Sequence, residues 1–228
     1  MRPFAFSLMA PRPDRPLTPT DLAAPLTGRS ARLNASTHIE KGWNLISRGE
    51  HAAAEEELLK ALKLVPDDTQ AASLLGWAQM LQGKYDDALL HFHEVLQREP
   101  GHAIARVNVG YICLKKSIYG EAIEHLSRAI HDSSDRKATL YANFYLGLLY
   151  SSREMDADAE SVLGRAQALG PNLIEAYFEL GRARWFGGNA DGARQAWRDG
   201  AASGKFNTWG QRCAAMLAEV DGGGSPSR

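Results

Sequence analysis

Histidine, cysteine and carboxylate side chains are the groups from which this chain would build a metal site or an acid–base pair, and their spacing assembles neither. Of the seven histidines, His91 and His93 stand two residues apart. On a helix that spacing sends them to different faces, whereas ligands must converge. Cys113 and Cys213 are the two cysteines, far apart in the chain. They have neither metal-ligand spacing nor the density with which small oxidised domains staple themselves, so both read as free thiols in a reducing compartment. The runs Glu55-Glu56-Glu57 and Asp86-Asp87 read as the solvated outer face of a helix. No Ser/His/Asp set can be nominated, and no phosphate-cradling glycine loop precedes a helix. Catalysis, a metal and a cofactor are therefore not expected.

The bulk chemistry narrows the partners. At 228 residues, 44% hydrophobic and 23% charged, the composition is that of a soluble protein with a core. The formal net charge of -1 supplies no field that would collect nucleic acid. No apolar run reaches the roughly 20 residues of a spanning helix, so membrane insertion is not expected. Phe4 to Ala10, behind Arg2, is the best candidate targeting segment, but it is short and Pro11 follows at once. That pattern argues against signal-peptide cleavage and for the cytoplasm, with export by way of this stretch as the alternative.

What does recur is a period. Gly42, Gly76 and Gly110 are 34 residues apart, Gly147 follows after 37, and Gly181 after another 34. Twelve residues behind each glycine is an alanine: Ala54, Ala88, Ala122, Ala159 and Ala193. Four further on comes a bulky apolar residue: Leu58, Phe92, Leu126, Leu163 and Trp197. Prolines close three units, at Pro66, Pro100 and Pro171. Self-similarity at such a spacing signals stacked helical hairpins, none of which can bury both faces alone. The glycine of each first helix is expected opposite the alanine of the second, small against small. Turns at Gly49, Gly83 and Gly187-Gly188 supply the permissive residue each hairpin needs.

This 34-residue pattern of Gly, Ala and Pro resembles the tetratricopeptide repeat (TPR) family. The resemblance implies an all-α, right-handed superhelical solenoid of about five hairpins over residues 35–68, 69–102, 103–139, 140–173 and 174–204. A capping helix over 205–220 would hide the last apolar face. Residues 1–34 hold five arginines, two aspartates, no lysine and six prolines, and are expected to be a disordered arm. The glycine-rich tail 221–228 is expected to be disordered too. The third unit lacks its proline and runs through Asp132-Ser133-Ser134-Asp135. Asp135 is a good N-cap, so the fourth first-helix is expected to be slightly extended, with a hinge as the competing reading.

In this family the first helices line a concave channel, so the resemblance also nominates a partner surface. The ninth place of the units carries Trp43, Trp77 and Tyr111, with Arg182 in the fifth unit; the fifth place carries Ile39, Val107, Phe144 and Phe178; the twelfth carries Ile46, Met80, Leu114 and Trp185. That channel would be aromatic and apolar, and an exposed apolar surface of this kind marks a binding site. The competing reading is that some of these side chains pack between neighbouring helices as core. The family's carboxylate clamp is absent: Ile39, Trp43, Ser73 and Trp77 occupy places that should carry lysine and asparagine, and Asn108 alone fits. The resemblance thus implies a non-catalytic scaffold or chaperone-like adaptor for an apolar or amphipathic segment of a protein partner. Two alternatives are a structural subunit of an envelope or secretion-type complex and a regulatory subunit of an enzyme on another chain. The N-terminal arm, with its apolar Pro3–Ala10, is a further candidate occupant of the channel.

Overall fold

A computed structural model of the chain describes residues 26–132 and 135–227, with side chains from residue 30. Most of the arm expected over 1–34, and Ser133 and Ser134 of the insertion, lie outside the described residues. Eleven helices and no strand are present among the described residues. They are α1 (Leu26–Ser47), α2 (His51–Leu64), α3 (Thr69–Leu81), α4 (Tyr85–Arg98), α5 (Ala103–Lys115), α6 (Tyr119–His131), α7 (Arg136–Ser152), α8 (Asp156–Leu169), α9 (Ile174–Phe186), α10 (Ala190–Ser203) and α11 (Thr208–Asp221). This is an all-α helical repeat. It divides into two compact units, residues 1–112 and 113–228, with the boundary inside α5.

Each hairpin reverses where the backbone can be left-handed. Gly49, Gly83 and Gly188 take φ of +82°, +79° and +86°. The amide of Glu50 then closes back on the Leu45 carbonyl at 2.9 Å, and that of Lys84 on Gln79 at 2.9 Å. The equivalent turns of α5/α6 and α7/α8 place Ser117 and Glu154 there instead, both at φ 60°. The strain is tolerated because the same turn bonds form, from Ile118 to the Cys113 carbonyl at 2.8 Å and from Met155 to Tyr150 at 2.9 Å.

The repeat's bulky and small markers form the core: Leu58, Phe92, Leu126, Leu163 and Trp197, and Ala54, Ala88, Ala122, Ala159 and Ala193, are all fully buried. Their pairing differs from the small-against-small expectation. A Cβ on Gly42 would meet Leu58 Cγ at 2.7 Å, one on Gly76 would meet the Phe92 ring at 3.1 Å, and those on Gly147 and Gly181 would collide with Leu163 and Trp197. The glycine of the first helix therefore makes room for the bulky residue of the second. A side chain reaching across from one helix can approach the facing backbone only where no Cβ stands in its way.

Element boundaries differ from the sequence expectation at both ends. Within the first unit, α1 begins at Leu26, so residues 26–34 are helical and extend the first helix rather than belonging to an arm. In the second unit α11 runs to Asp221. Gly223, at φ +82°, then turns the chain so that the Gly224 amide bonds the Glu219 carbonyl at 2.8 Å. At the insertion, Asp135 accepts hydrogen bonds from the amides of Lys137 and Ala138, and α7 is 17 residues long. The slightly extended helix is thus what forms.

Candidate functional site

In the first unit the candidate residues converge on α1 and α3. Ile39, Trp43 and Ile46 recur at helical spacing on α1, and Trp77 and Met80 are one turn apart on α3. The two helices touch, and the Trp43 and Trp77 rings stack with centroids 6.0 Å apart and planes 29° off parallel. Such an offset pair adds about 1 kcal/mol beyond area burial. Ile39, Ile46, Trp77 and Met80 are buried, with Trp77 and Met80 each 3% exposed, whereas Trp43 is half-buried. On α5, Val107 is buried and Tyr111 half-buried.

The polar atoms beside this pair are unfinished. Trp77 Nε1 is shut from water with no hydrogen-bond partner, and so is the hydroxyl of Ser73, one turn earlier on α3 and only 1% exposed. The Asn108 side-chain oxygen on α5, whose residue is 2% exposed, is in the same condition. A buried donor left without an acceptor costs about 1–3 kcal/mol. Side-chain atoms elsewhere, among them Asn143 Oδ1 and Ser151 Oγ on α7, share the condition.

The carboxylate run on α2 is a correction to the solvated-face reading. Glu57 accepts from His38 Nδ1 at 2.7 Å and Lys60 Nζ at 2.6 Å, tying α2 to α1. Lys60 and His38 hold its carboxyl down at about 2. Glu55 accepts from Gln79 at 3.1 Å, Gln82 at 2.8 Å and Lys84 at 2.7 Å, tying α2 to α3 and the following turn. Burial pushes Glu55 up, but those bonds win and leave it below the ordinary carboxylate value. Glu56 alone of the three faces solvent fully. Apart from Lys60, three residues from Glu57, the partners are 19 to 29 residues away, so the sequence gives no sign of them.

In the second unit the candidates disperse. Leu114 is half-buried near the end of α5, and Phe144 on α7 is 1% exposed. Phe178 on α9 joins the core with Trp197, Cys213 and Val220. Trp209 of α11 lies 5.4 Å from its ring and the Arg212 guanidinium 4.4 Å. The capping helix has claimed Phe178 as its seat. Trp185 packs on the same core beneath Arg194. Arg182 pairs with Glu179 at 3.0 Å, on the wall of a cavity of about 350 Å³ between α7 and α9. Burial raises Glu179, and burial together with the Glu179 charge lifts Glu175 to about 7. Glu175, Glu179 and Arg182 stand at i, i+4 and i, i+3 spacing on α9; the sequence shows that spacing but not the burial that raises the two carboxyls.

Among the described residues no group of three or more His, Cys, Asp or Glu side chains could hold a metal ion. Nor is any helix long and apolar enough to cross a membrane. Both cysteines are buried free thiols, with burial pushing Cys113 up to about 11 and Cys213 to about 12. Neither is a poised nucleophile.

A tetratricopeptide repeat family model matches residues 39–92 and 82–137. BBSome complex member bbs-4 of Caenorhabditis elegans is 27% identical over 133 residues, 58% of this chain and 28% of that protein. A TPR repeat-containing protein of Pseudomonas aeruginosa is 38% identical over 73 residues, 32% of this chain and 12% of its own length. The chain therefore spans less than a third of either relative's length. Among solved structures, that of Pseudomonas aeruginosa pilF superposes with a TM-score of 0.71 at 22% identity, covering 85% of this chain and 87% of that one. At that identity the likeness concerns the fold.

Proposed function

The chain belongs to the tetratricopeptide repeat family of protein-interaction scaffolds, and from that premise we propose that it binds an apolar or amphipathic segment of a partner protein against α1 and α3. The observation that carries this reading is the stacked Trp43–Trp77 pair, in which Trp77 is buried and Trp43 only half-buried. Aromatic rings supply a rigid apolar anchor, and the partly open Trp43 face is where a partner's apolar side chains can pack. The role is recognition rather than catalysis, because the described titratable clusters are structural ion pairs and buried core groups. The buried free thiols favour a reducing compartment, the cytoplasm.

A photo-crosslinker, p-benzoylphenylalanine, in place of Met80 on α3 tests this in lysate of the native source. A second chain carrying it in place of Leu90, which is 65% exposed on α4, serves as the control. The reading expects adducts from the Met80 position that are absent from the Leu90 position and disappear when Trp77→Ala is added. Identical adducts from both positions, or adducts indifferent to Trp77→Ala, would overturn it. Against a partner so identified, Trp43→Ala or Trp77→Ala should each cost about 2 kcal/mol, roughly 30-fold in Kd by calorimetry.

A further inference from the structure

We propose that the cavity between α7 and α9 is a binding site in its own right, which takes the cationic side chain of an arginine from a protein segment. It gives the second unit a recognition chemistry different from the apolar one at α1 and α3, and it does not depend on that face. The cavity encloses about 350 Å³, which is in the range of sites that hold small ligands. Such a space takes one long side chain with the backbone on either side of it. Part of the wall is apolar, where Leu148 of α7 and Phe186 of α9, both half-buried, line it. The aliphatic stem of an arginine covers surface of that kind while its head stays among polar groups. Its flat guanidinium packs on aromatic faces and forks onto carboxylates, which a lysine ammonium does less well.

The charges decide the sign of the ligand. Three carboxylates line the cavity, those of Glu154, Asp156 and Glu179, against the single guanidinium of Arg182. Arg182 is moreover committed to Glu179 at 3.0 Å. An incoming anion would therefore meet a cation already paired and two further negative groups. The neighbouring cations along α7 and α9 are engaged elsewhere: Arg153 lies over the Tyr119 ring at 5.3 Å, and Arg184 pairs with Glu160 at 2.8 Å. Glu179 registers the surplus of negative charge. It is 8% exposed, and burial raises its carboxyl by more than Arg182 and Arg212 lower it. A second cation in the cavity would favour its ionised form and would gain a carboxylate that the fold has already taken out of water. Carboxylates alone would not make a site, since most such groups are simply hydrated. Here an enclosed volume, an apolar wall and an uncompensated negative charge occur at one place.

The test uses the full chain labelled with nitrogen-15 and two probes of nearly equal size, N-acetyl-arginine methylamide and its uncharged counterpart N-acetyl-citrulline methylamide. In NMR titrations the arginine probe should move the amide signals of residues 148–156 and 179–186 saturably, with the millimolar Kd expected of so small a ligand. The citrulline probe should leave them in place. Glu154→Gln combined with Asp156→Asn keeps size and shape while removing two charges, and should weaken arginine binding at least about threefold. Unchanged signals from α10 and α11 will show that this variant keeps its fold. Glu124→Gln, at an exposed carboxylate of α6 outside the cavity lining, should not alter binding. Absent shifts, equal shifts from both probes, shifts centred on other residues, or indifference to the Glu154/Asp156 double variant would each overturn the proposal. Its failure is distinct from failure of the α1/α3 reading: adducts at Met80 without arginine-dependent shifts would sink the cavity site alone, and the reverse would sink the α1/α3 site alone.

Discussion

Gly181 shows how one missing side chain sets the spacing of a hairpin. Its place is filled by the indole of Trp197, which is fully buried and donates to the Phe178 carbonyl at 3.1 Å. A large ring held by a hydrogen bond cannot step aside, so Gly181→Ala must push α9 and α10 apart. The variant gains about 1 kcal/mol of helix propensity but incurs overpacking of about 1–3 kcal/mol or more. We expect a net loss of stability in urea unfolding. Gly76→Ala meets the Phe92 ring at 3.1 Å, a few tenths of an ångström from ordinary contact, and should be much milder. The contrast between the two variants separates steric packing from backbone flexibility, which predicts equal effects. Glycine spacing was legible in the sequence. Which residue fills the gap was not, because the alanine and the bulky residue recur with the same period and only coordinates tell them apart.

At the scale of the element, α11 shows how the last hairpin is closed. Asn207 caps it, accepting from the Gly210 amide at 2.8 Å, so Asn207→Ala should cost about 1 kcal/mol. Arg212 lies over Phe178 at 4.4 Å and Trp209 at 4.2 Å, within the field of Glu175 and Glu179 on α9. Burial, then the charge of Glu179, raises Glu175 from 4.5 to about 7, while Arg212 pulls it down; burial and the Glu175 charge also lift Tyr141 of α7 to about 12. A raised carboxyl holds its proton longer in the native state than in the unfolded one. Between about pH 4.5 and 7 the native state therefore binds more protons, and stability falls as pH rises through that window. Glu175→Gln removes the penalty. The difference in Tm between variant and wild type should grow from pH 4.5 to 7 and then level off, by a few degrees in scanning calorimetry. A difference independent of pH would show that Glu175 stays ionised throughout. The capping helix itself was readable from Asn207, Trp209, Cys213 and Val220. The carboxylate pair beneath it was not, since Glu175 and Glu179 look on paper like ordinary surface residues of α9.

For the whole molecule, the charge balance decides what kind of affinity to expect. A net charge of -1 from 26 basic and 27 acidic residues gives no long-range field. Glu55 and Glu57 of α2 are spent on internal bonds, each engaged by neighbours at under 3.2 Å. Recognition at α1 and α3 therefore draws on apolar burial and short hydrogen bonds, which salt does not screen. Raising NaCl from about 0.05 M to about 0.5 M shortens the Debye length from roughly 14 Å to roughly 4 Å. If charge pairs carried the complex, that change would weaken it by an order of magnitude or more. We expect the Kd for the partner captured at Met80 to change by less than about threefold, and to tighten in sulfate, which strengthens apolar burial. A steep loss of affinity with salt would instead place recognition on charged residues outside the tryptophan pair. The family's carboxylate clamp would behave in that salt-sensitive way, and the sequence carries only Asn108 of it.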